Sequence, residues 1–189
     1  MKARNLLAIL MTLTLASGVA LADLEGDATA HVYVEVVANI AVGVQTAVVD
    51  LGAVQTGEFP GTVIFRVDAN VERLNLYVTA TDLYKGDSLT AESIIPLVGP
   101  GAQIVLDNGS EVQAGDGMLE WETAGDIDGF QGQISEIGTF ESGQNGHFSQ
   151  DVDVTVNWDQ SDPELPMGEY SGFVMLTGMI MFDGPNATL

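Results

Sequence analysis

Residues 151–182 read DVDVTVNWDQSDPELPMGEYSGFVMLTGMIMF, and this stretch decides the fold. In its first part, valines and Trp158 alternate with polar residues, which is typical of a β-strand with one buried and one solvated face. A loop rich in Asp, Pro and Gly follows, and residues 170–182 are then apolar on both faces. We interpret the stretch as strand, loop and strand, the closing hairpin of a β-sandwich. Because it has no polar face, we expect the last strand to be central, bent between sheets, or covered either by a partner strand or by residues 88–150.

The rest of the chain carries similar signals of short strands separated by turns. Five further strands are predicted: 31–44 with a bend near residues 37 and 38, 47–54, 61–70, 74–80 and 118–123. The third of these places Val63, Phe65 and Val67 inward, and the fourth is expected to lie antiparallel to it. Residues 88–150 are less regular, and we interpret 124–146 as a long loop with one or two short strands. No segment after residue 22 has a helical period, so the predicted fold is an all-β, antiparallel immunoglobulin-like β-sandwich with a long loop-rich insertion.

The first 22 residues have the pattern of a secretory signal peptide. Lys2 and Arg4 precede an apolar run, residues 6–16, that is too short to span a bilayer. Ala20 and Ala22 supply the small residues of a cleavage site, so we expect cleavage before residue 23. Residues 23–189 are then a single domain of a secreted protein located in the periplasm, on the cell surface or outside the cell. The alternative is a retained membrane anchor.

The chain is strongly acidic and contains no cysteine. After residue 22 it has 27 acidic residues and only three basic ones, Arg66, Arg73 and Lys85, so its formal charge is −24. Such a charge repels nucleic acid and anionic membrane, and we expect neither as a partner once the signal is cleaved. Without cysteine the fold has no disulfide, and cysteine nucleophiles and thiolate metal sites are excluded.

One short motif resembles the start of a calcium-binding loop. Asp126 and Asp128 are followed by Gly129, but Phe130 and Ile137 occupy positions where an EF-hand needs oxygen ligands. The EF-hand motif therefore fails. A looser calcium site, built from Asp126, Asp128 and Asp116, is the one cofactor hypothesis that the sequence raises.

No catalytic constellation stands out, so we expect the protein not to be an enzyme and to have no catalytic or cofactor-binding residues. His147 lies in an Asn-Gly-His turn, and no Gly-x-Ser-x-Gly elbow is present. Pairs of carboxylates are available everywhere in so acidic a chain, so their presence carries no information. Asp151 and Asp153 alternate with valines, a pattern expected of plain solvent exposure.

The segment around Tyr170 carries a family resemblance. Leu165, Pro166, Gly168, Tyr170 and Gly172 precede alternating apolar residues, and this form resembles the last hairpin of bacterial fimbrial subunits, including spore-coat-U-like secreted pilins. Pro and Gly shape the turn, and the tyrosine hydroxyl is placed to bond back to the backbone. The resemblance implies an immunoglobulin-like subunit. The chain departs from the family because it lacks the usual cysteines and its lead-in, residues 23–30, is short and acidic.

These observations lead to three hypotheses. The first is an exported structural or adhesive subunit of a surface filament or extracellular matrix, which associates with itself or with another pilin-like subunit by β-strand addition. Residues 32–42 are then the donor strand. The second is a secreted carbohydrate- or ligand-binding β-sandwich, with stacking residues drawn from Tyr33, Tyr77, Trp121 and Trp158. The third is an exported hydrolase.

Overall fold

The computed structural model describes residues 32–46, 48–54, 56–106 and 117–180. The predicted signal peptide and Asp116 lie outside these ranges. The chain divides into two units, one ending at Val36 and the other beginning at Val37. In the first unit, residues 32–36 form no strand. In the described ranges we find no helix long and apolar enough to cross a membrane.

The second unit is built from antiparallel strands. In chain order they are β1 (Ile40–Val44), β2 (Gly57–Ala69), β3 (Arg73–Thr81), β4 (Leu83–Lys85), β5 (Ile94–Ile95), β6 (Leu97–Leu106), β7 (Met118–Ile127), β8 (Phe130–Ser135), β9 (Gly138–Glu141), β10 (Phe148–Gln160), β11 (Tyr170–Ser171) and β12 (Val174–Ile180). The predicted all-β, antiparallel fold is therefore confirmed for the described residues. The immunoglobulin-like connectivity stays a prediction.

One large sheet dominates the unit. Its strand order is β1-β2-β10-β6-β7-β8-β3-β12, with β9 also paired to β3. The longest ladder joins β10 to β2 over their full length, from Phe148 opposite Ala69 to Gln160 opposite Gly57. The sheet curls into a sandwich-like half-barrel. A second, small sheet has the order β11-β4-β5.

The core lies on the inner face of the curled sheet. Alternate residues of β2, β3, β6 and β10 meet there, as period-two burial requires. The largest fully buried apolar side chains are Phe140, Phe148, Leu74, Leu76, Ile104, Leu119, Val67, Val78, Val152, Val154 and Val156. Trp158 joins them, and its indole N–H donates to the carbonyl of Thr81 at 2.9 Å. This bond ties the end of β10 to the end of β3 and satisfies the polar atom of the buried ring.

The predicted closing hairpin is wrong in its pairing. β10 and β12 are both strands, but β10 pairs with β2 and β6, whereas β12 pairs with β3. Since both edges of β10 are occupied, the chain between Gln160 and Val174 crosses to the other half of the sheet. The expected hydroxyl contact is confirmed, because the Tyr170 hydroxyl donates to the carbonyl of Pro166 at 2.7 Å.

Three predictions for the first half of the chain are also corrected. Only Ile40–Val44 of the predicted strand 31–44 is a strand, and residues 48–54 form none. β2 and β3 match the predicted strands, with Phe65 and Val67 buried, yet they do not pair with each other. The alternation of apolar and polar residues identifies a strand and its buried face, but it does not show which strand lies beside it in the sheet.

The one or two short strands predicted within 124–146 are present as β8 and β9, but the region around them is mostly sheet rather than a long loop. β7 extends to Ile127, and β8 and β9 occupy much of the remainder. Glycines hide the pattern because they replace the alternating side chains where strands approach closely. A Cβ on Gly132 would lie 1.9 Å from the carbonyl oxygen of Ala80, and one on Gly125 would lie 2.3 Å from Cγ1 of Ile134.

Candidate functional site

The two ends of the large sheet are the most distinctive surfaces of the molecule. Among the strands of the described ranges, β1 pairs only with β2, and β12 pairs only with β3. Natural proteins protect such edges with charged residues, Pro or bulges, because an unpaired edge is a template for another strand. Here the sequence has no charged residue between positions 36 and 49 or between positions 170 and 182. Both edges therefore lack charge protection in a protein that is otherwise strongly acidic.

The inner faces of β1 and β12 meet along a seam. Ile40 and Val42 point inward, and a Cβ on Gly178 would lie 2.6 Å from Cδ1 of Ile40 and 3.2 Å from Cγ2 of Val42. Cα atoms of the two strands come within 8 Å of each other. A strand inserted between them would need about 9.6 Å, twice the usual strand spacing. The seam thus has no room for another strand unless β1 moves.

Asn70 holds the chain where it enters β1. Its side-chain oxygen accepts a hydrogen bond from the backbone N–H of Asn39 at 2.6 Å, and its amide donates to the carbonyl of Val37 at 2.8 Å. The Asn70 backbone N–H also donates to the carbonyl of Asn39 at 3.2 Å. Together these bonds extend the five-residue ladder between β1 and β2. The sequence predicted only that Asn70 ends a strand.

Residues 32–37 expose an unusual amount of apolar surface. Five large side chains there are between 74% and 87% exposed: Val32, Tyr33, Val34, Val36 and Val37. β-branched residues favour extended, paired backbone, yet this segment forms no strand in the described structure. The segment therefore combines high strand propensity with no sheet partner in the part of the chain that is described.

The outer face of β12 is a second exposed apolar surface. Phe173, Met175 and Met179 are 36–41% exposed, whereas Leu176 on the other face is buried. Met175 lies opposite Thr79 of β3, and Ile134 of β8 lies opposite Thr79 on its other side. We refer to Phe173, Met175, Met179 and Ile134 as the β12 outer face. β12 is an edge strand in the described sheet, and residues 88–150, expected as one possible cover, leave Phe173, Met175 and Met179 partly exposed.

The outer face of β2 and β10 is polar and cross-linked by one arginine. Arg66 contacts Asp68 at 2.9 Å and Asp151 at 3.4 Å, and it donates to the Ser149 hydroxyl at 2.6 Å. The guanidinium, and then the hydroxyl of Ser149, hold the pKa of Asp68 below its ordinary value. The side-chain amide of Gln45 donates to Asp151 at 2.9 Å. Asp151 is therefore part of a network, although its alternation with valines predicted plain exposure.

Asp82 is a partly buried carboxylate near the end of β3. Burial raises its pKa above the ordinary value, and a hydrogen bond from the backbone N–H of Leu97 at 2.7 Å opposes that rise. The carboxylate thus supports the start of β6. Its contacts are structural and lead to no substrate or ligand.

The residues of the calcium hypothesis form a hairpin turn. Asp128 and Gly129 have φ angles of 53° and 88° and connect β7 to β8. Positive φ at both central residues is the requirement of a type I′ turn, which Asp-Gly satisfies. The carboxylate of Asp126 accepts a hydrogen bond from the N–H of Gly129 at 3.2 Å. Asp116 lies outside the described residues, so the site stays a prediction; within those residues no cluster of three metal-binding side chains occurs.

A shallow depression of about 340 Å³ brings His147, Ser149 and Asp68 together. The Ser149 hydroxyl donates to Asp68 at 2.5 Å, and His147 Nδ1 lies 3.3 Å from the carbonyl of Asn145. In a nucleophilic triad the hydroxyl instead donates to the imidazole, which the carboxylate orients. The described hydrogen bonds therefore do not form such a relay.

The four aromatic residues considered for ligand stacking have different environments. Trp158 is buried and hydrogen-bonded within the core, so it presents no face to a ligand. Trp121 is partly buried against that core, and Tyr77 is also partly buried on β3. Tyr33 is exposed. The ligand-binding hypothesis therefore loses one of its four candidate residues.

No protein-family model matches the chain, and no curated protein is significantly similar to it.

Proposed function

We propose that the protein is an exported structural subunit of a surface filament or extracellular matrix, which assembles by β-strand addition between copies. The observation that carries the proposal is the placement of charge. Both ends of the large sheet lie in uncharged segments, while the chain as a whole is strongly acidic. Export rests on the signal-peptide pattern of residues 1–22.

Electrostatic repulsion determines where two copies can meet. With a formal charge of −24 expected after residue 22, most approaches bring acidic surfaces together. Exposed charges interact over about 8 Å at physiological ionic strength. Approach along an uncharged edge reduces this repulsion, and backbone hydrogen bonds then supply the attraction.

β2 is the strand best suited to accept a donor strand from another copy. It has 13 residues, but β1 pairs with only five of them, Phe65–Ala69. On that side, the backbone from Gly57 to Val63 is not part of the β1 ladder. A longer strand than β1 could extend the ladder along this part of β2, which in the described ranges belongs to no ladder on that side.

Residues 32–44 have the length and pattern of that longer strand. The segment has the same number of residues as β2, and its even-numbered positions are all apolar: Val32, Val34, Val36, Ala38, Ile40, Val42 and Val44. In the present register Ile40 lies opposite Ala69. A shift of eight residues places Val32 there instead. Because the shift is even, the apolar set stays on the inner face.

Exchange is required because the seam has no room for an additional strand. When β1 leaves its own β2, residues 32–44 become free to pair with β2 of a neighbour. The exchange gives up the five-residue ladder and the hydrogen bonds at Asn70 and Gln45, and it gains a ladder of 13 residues, so backbone hydrogen bonds still favour it. Side-chain contacts of the exposed valines with the inner face add to the gain.

A disulfide that fixes β1 in place tests the proposal. Ala41 and Asp68 are directly opposite on β1 and β2. Opposite residues of antiparallel strands have Cα atoms roughly 4.5–5.5 Å apart, within the range of a disulfide. The chain has no native cysteine, so A41C/D68C forms one defined bond. The matched control is T62C/T155C, whose hydroxyls lie 2.8 Å apart on β2 and β10.

Assembly of residues 23–189 is followed by light scattering and electron microscopy. We expect oxidised A41C/D68C to stay unassembled and to form filaments after reduction, whereas T62C/T155C assembles in both states. Filaments from oxidised A41C/D68C would show that β1 is not exchanged. A wild-type protein that stays monomeric at high concentration, with or without Ca²⁺, would refute the structural function itself.

A further inference from the structure

We propose that residues 32–44 slide along their own β2, so that β1 has a second register that covers the sheet edge within one chain. In the present register, which we call open, Val44 lies opposite Phe65. In the second register, which we call closed, every residue moves by eight positions and Val44 lies opposite Gly57. The closed register occupies the whole of β2 and therefore inhibits the proposed strand exchange, and only this consequence rests on the proposed function.

The segment that connects β1 to β2 is long enough for both registers. β1 ends at Val44 and β2 begins at Gly57, so 12 residues connect them. In the open register these residues return over eight positions of β2, about 26 Å at 3.3 Å per residue. In the closed register they form a loop between neighbouring strands. A tether of this kind gives the donor strand an effective concentration on the order of millimolar. The strand of the same chain is therefore the occupant that tethering favours.

The inner face of β2 accepts the shifted strand at Gly61. A Cβ on this glycine would lie 3.1 Å from Cδ2 of Leu51 and 2.6 Å from Cζ3 of Trp158. Leu51 belongs to the connecting segment, and it packs where a neighbouring strand would place a side chain. In the closed register Ile40 lies opposite Gly61 and takes the place of Leu51. The apolar cover beside Trp158 is thus exchanged rather than lost.

Charge favours a shift of eight residues over the neighbouring even shifts. Glu35 is the only charged residue among residues 32–44, and Arg66 is the only basic residue of β2. A shift of eight places these two residues directly opposite each other. A shift of six places Glu35 opposite Asp68, where like charges destabilise a sheet. A shift of ten moves Val44 past the beginning of β2.

Two features oppose the closed register. The side chain of Asn70 holds the chain that enters β1 in the open register only. The N–H of Gln45 donates to the carbonyl of Ile64 at 2.9 Å, so the even-numbered residues of β2 direct their backbone groups toward β1. Pro60 is one of these residues, and it lacks the N–H that the closed register would use. These costs offset part of the longer ladder, so we expect β1 to visit both registers.

A pair of cysteines that only the closed register brings together tests the inference. Gly43 lies opposite Arg66 in the open register, eight positions or about 26 Å from Glu58. The closed register places Gly43 opposite Glu58, so G43C/E58C forms a disulfide after the shift. The matched control is N39C/E58C. The closed register leaves this pair four positions, about 13 Å, out of alignment, which is beyond the reach of a disulfide.

Oxidation of residues 23–189 at micromolar concentration is followed on non-reducing gels, which separate bonds within a chain from bonds between chains. We expect G43C/E58C to form its bond within the chain at least about tenfold faster than N39C/E58C. Equal rates of the two variants would show that a detached strand reaches Glu58 at random, and would refute the closed register. The absence of a bond within the chain of G43C/E58C would also overturn it.

A deletion in the connecting segment supplies a second test. Without residues 46–53, four residues remain between Val44 and Gly57, and they reach at most about 18 Å. This is too short for the open register but sufficient for a hairpin loop in the closed one. We expect a folded monomer with slower hydrogen exchange at the backbone amides of Glu58 and Thr62, which face β1. The control replaces the same eight residues by Gly and Ser and so keeps the length. Equal exchange rates in the deletion variant and the control would contradict the closed register.

The closed register and the filament function fail separately. A bond within the chain of G43C/E58C, without filaments from the wild type, supports the closed register even if the filament function fails. Wild-type filaments together with bonds only between chains would support strand exchange and refute the closed register. If both proposals hold, we expect oxidised G43C/E58C to stay unassembled, like oxidised A41C/D68C, and to form filaments after reduction.

Discussion

Replacement of Gly132 by alanine tests whether β8 and β3 approach as closely as the structure shows. Gly132 lies opposite Thr81, and a Cβ there would be 1.9 Å from the carbonyl oxygen of Ala80 and 2.6 Å from the Cα of Thr81. Both contacts are to backbone atoms, which cannot rotate away. Since real Cβ atoms stay beyond 3.0 Å, β8 must move by about 1.1 Å, the difference between 3.0 and 1.9 Å.

The size of the effect follows from the ladder that this movement disturbs. β3 and β8 are joined at three register pairs, from Thr79 to Thr81. Loss of about three backbone hydrogen bonds of this ladder, one of them from the N–H of Asp82 to the carbonyl of Gln131, costs roughly 1 kcal/mol each, or about 3 kcal/mol. Alanine recovers about 0.5–1 kcal/mol in a strand because the unfolded chain becomes less flexible. The net expectation for G132A is a decrease of about 2 kcal/mol or more in the free energy of unfolding.

Urea unfolding monitored by tryptophan fluorescence measures this change, because buried Trp158 reports on the core. Gly43→Ala is the matched control: Gly43 is also in a strand, and its Cβ would meet no atom within 4 Å. We expect G43A to be neutral or to stabilise by up to about 1 kcal/mol. A G132A variant as stable as G43A would refute the close approach of the two strands.

Three further predictions concern polar side chains. Asn70→Ala removes two hydrogen bonds to the chain entering β1, so we expect faster hydrogen exchange in β1 and a loss of about 1–2 kcal/mol in unfolding free energy. Asp82→Asn keeps an acceptor for the N–H of Leu97 without the cost of a partly buried charge, so we expect a small rise in stability at pH 7, whereas Asp82→Ala costs about 1–3 kcal/mol. Asp68→Asn is expected to reduce the loss of stability on acidification. The folded state lowers the pKa of Asp68, so the charged carboxylate stabilises the fold at pH values above the ordinary pKa, and this contribution is lost as the pH falls through the folded-state pKa.

Each of these predictions has a contrary outcome. Unchanged exchange in the β1 amides of N70A would show that the ladder to β2 alone holds the strand. Because burial raises the pKa of Asp82, its charge lowers the free energy of unfolding as the pH rises above the ordinary value of 3.8. The stability gained by D82N must therefore shrink toward acid pH. A gain that does not change with pH would show that the buried charge is not its cause. An acid transition of D68N identical to that of the wild type would assign the acid sensitivity to other carboxylates.

The strands were predicted where burial produces a clean alternation. β2 and β10 have one face in the core and one partly exposed face, and β3 alternates apolar with polar residues, so their sequences show period two. The partners predicted for these strands were wrong, because any apolar face fits several neighbours equally well. Alternation also failed at β8, where Gly132 stands in place of a side chain. Close backbone contact between strands is a tertiary property that a single sequence does not display.

The candidate site was predicted in part. The exposed valines of residues 32–36 and the apolar character of β12 were both visible in the sequence, and the structure adds that β12 is an edge strand. The role of Asn70 was missed, since its contacts depend on how β1 returns to the end of β2. The Arg66 network was missed for a similar reason, as Asp151 lies 85 positions later in the chain.

The order of strands in the sheet also has a consequence for folding time. β2 and β3 are neighbours in the chain, but the strands that pair along most of their length, β10 and β12, lie roughly 90–100 residues further on. Pairing of such distant segments requires closure of large loops and makes folding slow, on the order of milliseconds to seconds. During synthesis one edge of β3 stays unpaired until β12, roughly 100 residues later, has been made. The described sheet is therefore completed only after β12 is available, and until then that edge of β3 is exposed to other strands.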